Sequence, residues 1–293
     1  MSITAALPVG DLAPAKRSSV LGTLRATGPA GMASAVVIGA ATFVAVFGVV
    51  IAPYDPNLGN LTQAWLGPSA SHLLGFDAQG RDLLSRLLAG AWTSMLGPLL
   101  VVGICIGAGT ALAVLAAWRG GALDTVVSSG LNVVFAFPGI LLAILAAAIF
   151  GAGLIAASLA LAIAYTPYVA RVLRGAALRE RGQQYVAALE VQGVSALRIC
   201  IRHIVPNIAP LIVAQATILF GYAMVTLAAI SFLGLGVQPP APNWGVMVSE
   251  NQQGILQGTP LPALAAGAAI VVVVVAFNVL GERLFEVARR GGR

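Results

Sequence analysis

Residues 183–210 form a polar stretch between two strongly apolar runs, and they carry one acidic and three basic side chains, Glu190, Arg198, Arg202 and His203. These groups are unusual in a 293-residue chain that is 59% hydrophobic and only 9% charged. Soluble domains are about a quarter charged, so this composition is typical of a membrane protein. The only other histidine, His72, lies far from His203 in the sequence, and the two form no metal site by spacing. We therefore predict no metal site and no cofactor bound by this chain.

The apolar runs lack the groups that catalysis or ion transport at membrane depth would use. They contain no Asp, Glu, His, Lys or Arg, and Ser128 has no His or Lys partner within reach. This argues against an integral-membrane enzyme and against a proton- or sodium-coupled carrier that uses carboxylates. These residues do not exclude a carrier that binds its coupling ion through backbone groups. The only lysine is Lys16, so the chain has no P-loop and is not an ATPase.

Six stretches are long and apolar enough to cross a membrane as helices. They cover residues 32–52, 95–117, 125–149, 153–170, 208–233 and 261–281. The sequence therefore predicts an all-α integral membrane protein with six transmembrane helices in one domain, residues 32–290.

The basic residues orient these spans. With the N-terminus in the cytoplasm, the segments 1–31, 118–124, 171–207 and 282–293 hold fourteen of the sixteen Lys and Arg residues. The external loops, 53–94 and 234–260, hold only Arg81 and Arg86. Cytoplasmic loops are enriched in Lys and Arg, so we predict cytoplasmic termini and a cytoplasmic loop at 171–207. The net charge of +6 then reflects topology, and we predict no nucleic-acid partner.

The loop at 171–207 is predicted to be mostly helical. A helix continuing from the fourth span reaches about residue 192, Gly193 ends it, and Ser195 can cap a second helix over 196–205. Pro206 and Pro210 would then turn the chain back into the membrane. Two interpretations remain from these residues alone: an amphipathic loop on the lipid headgroups, or a docking helix for a soluble partner.

The stretch "YVAALEVQGVSALRICIRHIVPN" resembles the "EAA" loop of ABC importer permeases. That pattern is Glu-Ala-Ala, three residues, Gly, then about nine residues to a hydrophobic-Pro ending. The resemblance implies a short helix that inserts into a groove of the nucleotide-binding subunit. The residues of the implied coupling loop are Ala187, Ala188, Glu190, Gly193, Ser195, Arg198, Arg202, His203, Pro206 and Asn207.

The loop departs from the family pattern at the glutamate position, which is Ala187 here, and Leu189 stands at the position of the second alanine. Glu190 follows Ala187 three residues later, on the same face of a helix. One hypothesis is that Glu190 supplies the missing charge at the partner interface. The alternative is that Glu190 is solvated or pairs with a loop arginine such as Arg181.

Two external segments carry a more specific resemblance. Residues 72–95 contain a turn at 77–80 followed by an apolar helical face, which alone predicts a helix lying at the outer membrane interface. Residues 231–248 contain glycines that end the fifth span, three prolines, and Trp244 placed to anchor at the interface. Both segments, and "APYDPN" at 52–57, are similar to the second permease of dipeptide, oligopeptide and nickel importers. The motif residues are Asp77, Gly80, Arg81, Asp82, Arg86, Gly234, Gly236, Pro239, Pro240, Trp244 and Gly245.

Polar residues within the predicted spans either join helices or line a water-filled path. Asn132 and Gln215 are the costliest to expose to lipid, which makes them the first candidates for the path lining. Tyr222 and Thr226 are further candidates.

The resemblance covers about residues 32–290 and implies the type I ABC importer permease fold in a bacterial cell membrane. It implies a second homologous permease, two cytoplasmic ATPase domains that bind ATP and Mg²⁺, and an external solute-binding protein or lipoprotein. Transport would follow alternating access. The implied cargo is a dipeptide or oligopeptide, with a nickel chelate or haem as alternatives on the same machinery. The competing class is an integral-membrane enzyme, and a third class is a membrane anchor or scaffold without a transport role.

Overall fold

The computed structural model describes residues 26–291, with side chains up to residue 287. Most of the predicted N-terminal tail, including Lys16, Arg17 and Arg25, lies outside the described residues, as does Arg293. The helices are α1 Gly28–Ile51, α2 Leu83–Arg119, α3 Gly121–Phe135, α4 Gly139–Phe150, α5 Leu154–Arg181, α6 Gln184–Val191, α7 Ala196–Ile199, α8 Val205–Phe232, α9 Trp244–Leu256 and α10 Leu261–Gly291. A π-helical turn, Cys200–Ile204, joins α7 to α8. The described residues thus form the predicted all-helical fold, in which each helix satisfies its own backbone, as a bilayer demands.

Five helical segments within residues 26–291 are long and apolar enough to cross a membrane, namely α1, α2, α5, the run from α7 to α8, and α10. The pair α3 and α4 makes a sixth if it is counted as one span. The predicted span 125–149 is therefore not one straight helix, because α3 and α4 are bent by 78° at their junction. Pro138 lies at that break, where it cannot donate a helix hydrogen bond and disfavours helical geometry at Phe137.

The helix α2 begins well before the predicted start of the second span at residue 95. Asp82 caps it by accepting a hydrogen bond from the Ser85 backbone N–H at 2.8 Å. The predicted interfacial helix after Arg81 is therefore wrong, since those residues are the first turns of a 37-residue helix. At 1.5 Å per residue α2 is about 55 Å long and connects two opposite ends of the molecule.

The segment after α5 also differs from its predicted helices. The predicted helix over 171–192 is interrupted at Gly182, so that α6 is a separate, short element. Gly193 ends α6 as predicted, with φ +76°. Ser195 occupies the cap position of α7, but its side chain makes no capping hydrogen bond. Pro206 lies in the first turn of α8, where its missing N–H costs little, and Pro210 lies inside that helix. The prolines therefore do not interrupt the run into α8.

The core is formed mainly by α2, α5, α8 and α10, whose contact faces are rich in alanine and glycine. Small residues let helix backbones approach closely and make many van der Waals contacts. These contacts hold the helices together in a bilayer, where the hydrophobic effect does not drive helices to associate. Gly245 shows this constraint where α9 crosses α8. A Cβ atom there would lie 2.5 Å from the carbonyl oxygen of Ala228.

One end of the molecule is covered by residues 53–82 together with α9, which we call the cap. Two arginines and two carboxylates are enclosed in it. Arg81 Nε lies 2.6 Å from Asp77 Oδ2, and Arg81 Nη2 lies 2.6 Å from Glu250 Oε2. Arg86 adds distances of 3.3 Å from Nε to Asp77 Oδ2 and 3.2 Å from Nη2 to Glu250 Oε2. The four formal charges sum to zero, which is what allows them to lie out of water.

Further polar contacts join the cap to α2 and α9. The Ala78 backbone N–H donates to Asn251 Oδ1 at 2.9 Å, and Asn251 is fully buried. His72 Nδ1 lies 2.8 Å from Asp82 Oδ1, next to the start of α2. Gly80 has φ +67°, and a Cβ atom there would lie 1.8 Å from the Asn60 carbonyl oxygen. The turn at 77–80 can therefore close against residue 60 only with glycine at position 80.

We expect Asp77→Asn to lower the thermal unfolding midpoint of the purified protein in detergent, with a loss of stability of about 3–5 kcal/mol. The amide nitrogen would replace an oxygen that accepts from Arg81 Nε, leaving two buried arginines with one carboxylate. The matched control is Asp55→Asn, because Asp55 is exposed in the same cap and, within the described residues, its carboxylate accepts a hydrogen bond only from the Asn57 N–H. Equal midpoints for the two variants would show that the buried charges do not stabilise the cap.

Candidate functional site

Residues 182–207, which we call the connector, lie at the end of α2 opposite the cap. Val186, Ile199 and Ile204 are fully buried there. They pack with Val114 and Ala117 of α2 and with residues near the end of α5. This apolar contact places α6, α7 and the π-helical turn as a compact unit beneath the long helices.

A polar cluster also holds the connector. Glu180 Oε1 accepts hydrogen bonds from the Tyr185 hydroxyl and from Asn207 Nδ2, each at 2.7 Å. Asn207 Nδ2 also donates to the Tyr185 hydroxyl oxygen at 3.1 Å. Burial, with the neighbouring Glu180 carboxylate, raises the pKa of Tyr185 to about 12, so its hydroxyl keeps its proton at neutral pH. Asn207, predicted as a coupling residue, is exposed, and its side-chain amide donates to these two residues of the same chain.

The outward surface of the connector combines exposed apolar side chains with two arginines. Val191, Leu197 and Ile201 are 90%, 70% and 62% exposed. Arg198 and Arg202 flank them, and neither forms an ion pair with a described residue. The predicted coupling residues that are exposed are Ala187, Ala188, Glu190, Gly193, Ser195, Arg198, Arg202, Pro206 and Asn207. Because exposed apolar patches mark interaction sites, this surface is suited to a protein partner.

Glu190 has no ion-pair partner among residues 26–287 and is exposed on α6. The alternative partner, Arg181, is engaged elsewhere. Its Nη1 donates to the Ala117 carbonyl oxygen at 2.9 Å, and its guanidinium lies 4.7 Å from the Trp118 ring centroid. The carboxylate of Glu190 is therefore open to a partner. The predicted coupling residue His203 is half-buried, with its ring centroid 6.3 Å from that of Tyr185.

The four candidates for the path lining fall into different environments. Tyr222 is 62% exposed on α8, and Thr226 lies one turn later on the same face, with its Oγ1 2.8 Å from the Tyr165 hydroxyl. Asn132 is exposed on α3 and accepts a hydrogen bond from Arg171 Nη2 at 2.8 Å. Gln215 is buried within the chain, and its Oε1 has no partner among the described residues. Tyr222 and Thr226 thus share an open face, whereas Gln215 does not reach it.

The motif after α8 forms a turn and then caps α9. Gly234 has φ +77°, Gly236 packs against Ser231, and the Pro239–Pro240 peptide bond is cis. Asn243 Oδ1 accepts from the Gly245 N–H at 3.0 Å and thereby starts α9. The predicted role of Trp244 as a membrane-interface anchor is wrong. Its ring is buried, and Nε1 donates to the Leu87 carbonyl oxygen at 2.9 Å.

Some of the residues that organise the molecule were not among the predicted sites. Glu250 and Asn251 hold the cap, and Glu180 and Tyr185 hold the connector. A sequence signal existed for Glu250, because it is the only acidic residue in segment 234–260 and the two external arginines require carboxylates. No comparable signal marks Tyr185, whose role depends on three helices meeting.

The family model described as "Binding-protein-dependent transport system inner membrane component" matches residues 109–291, more than half of the chain. This family is the permease component of ABC transporters and is not itself a catalytic enzyme. The matched region includes the connector, the open face of α8 and the turn before α9.

Curated relatives match over a longer part of the chain. The dipeptide transport system permease protein DppC of Alkalihalophilus pseudofirmus is 36% identical over 85% of this chain and 82% of its own. The probable D,D-dipeptide transport system permease protein DdpC of Escherichia coli is 35% identical over 90% of this chain and 89% of its own. The glutathione transport system permease protein GsiD of Pectobacterium atrosepticum is 38% identical over 79% of this chain and 77% of its own. With its apolar helices and these matches, the chain belongs to the inner-membrane permease family of binding-protein-dependent ABC importers.

Proposed function

We propose that this chain is one transmembrane half of an ATP-driven importer of dipeptides or short oligopeptides. The observation that supports the cargo is the agreement of the three relatives, whose names specify a dipeptide, a D,D-dipeptide and glutathione, all small peptides. Each match extends over at least three quarters of both chains.

A second, homologous permease would complete the path. The support for it is the open face of α8, where Tyr222 and Val225 are exposed and Thr226 is half-buried beside Tyr165 of α5. Hydroxyl groups on such a face can hydrogen-bond a peptide or water, whereas lipid offers them no partner. In a heterodimer the same face would border the path between the two permeases.

The energy would come from two cytoplasmic ATPase domains, which bind ATP and Mg²⁺. The outward surface of the connector suits them because it combines exposed Leu197 and Ile201 with Arg198, Arg202 and the unpaired Glu190. A solute-binding protein would dock on the external cap, which its buried charges hold as one unit. ATP must bind one conformation of the complex better than the other, and the connector would transmit that preference to the helices.

We expect ATP-dependent uptake of a radiolabelled dipeptide by proteoliposomes that contain this chain, its second permease, its ATPases and its cognate binding protein. Uptake should cease without ATP or without the binding protein. Accumulation of nickel without peptide would contradict the proposed cargo while preserving the ATP-driven mechanism. Uptake that needs no ATP would contradict the mechanism itself.

We expect Leu197→Glu to reduce co-purification of the ATPase subunits by at least tenfold. A carboxylate at the centre of an apolar contact must lose its hydration when the partner binds, which is costly without a paired cation. The matched control is Leu73→Glu, an equally exposed leucine in the cap at the other end of the molecule. Normal ATPase recovery with Leu197→Glu would remove the connector surface from the proposed interface.

We expect Glu190→Ala to lower the stimulation of ATP hydrolysis by the loaded binding protein several-fold, while Glu190→Asp retains part of it. The reason is that Glu190 is the unpaired carboxylate nearest the position at which the family pattern has glutamate, Ala187. Gln192→Ala, an exposed polar residue directly after the end of α6, is the control. Unchanged transport and stimulation in Glu190→Ala would show that Glu190 does not replace that charge.

A further inference from the structure

Three polar side chains from three different elements meet at the base of the connector. Glu180 belongs to the last turn of α5, Tyr185 to the first turn of α6, and Asn207 to the first turn of α8. Each of the three is within hydrogen-bonding distance of the other two, at 2.7, 2.7 and 3.1 Å. The cluster is therefore a closed triangle in which one carboxylate oxygen accepts two hydrogen bonds.

The cluster joins elements that the chain itself connects only weakly. Between α5 and α6 lies the interruption at Gly182, and between α7 and α8 lies the π-helical turn Cys200–Ile204. A π-helical turn is a rare geometry that often occurs at functional sites. Asn207 lies just beyond that turn, so its contact with Tyr185 connects α6 directly to α8 and bypasses the turn.

The apolar contacts of the connector cannot replace this link. Val186, Ile199 and Ile204 hold the connector against α2 and α5, but hydrophobic contact is not directional. Hydrogen bonds to an ionised carboxylate are directional and stronger than neutral ones. The triangle therefore sets the orientation of α6 relative to α5 and α8, while the apolar residues supply burial.

We propose that Tyr185 is a positioning residue that ties α6 to both α5 and α8, so that a displacement of α6 moves the two long helices together. This inference rests on the proposed function, in which the ATPases act on the connector. Tyr185 contacts neither ATP nor cargo in this scheme. Tyr185 keeps α5, α6 and α8 in fixed relative positions, so that α5 and α8 move when α6 moves.

The test compares Tyr185→Phe and Asn207→Leu with Tyr168→Phe. Tyr168 lies on α5, is partly exposed, and its hydroxyl has no hydrogen-bond partner among the described residues. Each variant is reconstituted as the full complex with its partner permease, ATPases and binding protein. The primary readout is the number of labelled dipeptide molecules imported per ATP hydrolysed, expressed per assembled complex.

We expect Tyr185→Phe and Asn207→Leu to hydrolyse ATP at near the unmodified rate but to import at least threefold less peptide per ATP. Tyr168→Phe should match the unmodified complex. A merely structural role would lower the yield of assembled complex without changing the ratio. An unchanged ratio in both Tyr185→Phe and Asn207→Leu would overturn the proposal.

A second readout does not depend on cargo. Spin labels are attached to cysteines introduced at Gln192 on the connector and Leu178 on α5, both exposed, whereas the two native cysteines are buried. In the unmodified complex the mean distance between the labels should stay constant when a non-hydrolysable ATP analogue is added. In Tyr185→Phe the mean distance should change and the distance distribution should broaden. A constant distance in Tyr185→Phe would refute the link. Absence of peptide uptake by the unmodified complex would instead refute the proposed function, and the label distances would still decide the link.

Discussion

Two arginines shared between two carboxylates hold the cap of this protein together. Asp77 and Arg81 come from the turn before α2, Arg86 from the second turn of α2, and Glu250 from α9. Such a cluster gains little over a well-packed apolar core of the same volume, but removal of one member leaves a buried charge without a partner. Its contribution is therefore geometric, because the four charges pair only when the loop, the start of α2 and α9 meet, and Arg86 Nε has no hydrogen-bond partner among the described residues.

The cap in turn determines where the long helices begin. Asp82 caps α2 within the same segment, and the buried Trp244 ring joins α9 to α2 through the Leu87 carbonyl. Since α2 is about 55 Å long, its start in the cap also determines the position of its other end, against which the connector packs. The two surfaces proposed for partners are thus joined by one continuous helix.

A few directional contacts organise a molecule whose other contacts are mostly apolar. Within the described residues the cap has its ion cluster, and the connector has the triangle of Glu180, Tyr185 and Asn207. Between them, small residues allow α2, α5, α8 and α10 to pack closely with few polar contacts, such as that between Tyr165 of α5 and Thr226 of α8. This division suits a transporter, since helices that pack by shape can shift while their ends remain attached to rigid units.

The places where prediction and structure differ have identifiable causes. Hydropathy located apolar segments but not helix ends, because charged residues interrupt the apolar run at Arg86 in α2 and at Arg179 and Arg181 in the last turn of α5. The bend at Pro138 was readable from proline chemistry, yet an apolar run of ordinary span length concealed it. Trp244 is of a residue type that often anchors at the membrane interface. Its ring is instead buried within the molecule, where Nε1 donates to the carbonyl oxygen of Leu87 in α2.

The sequence by itself determined the all-helical membrane fold, the absence of a P-loop, and the motifs that indicate an importer permease, because these follow from composition and local spacing. Only the tertiary structure decided which charged groups pair and which polar residues share a face. Glu250 meets Arg81 across 169 positions, and Asn207 meets Glu180 across 27. Such contacts depend on how helices cross, which is set by the packing of small residues over whole faces. No local pattern in the sequence contains that information.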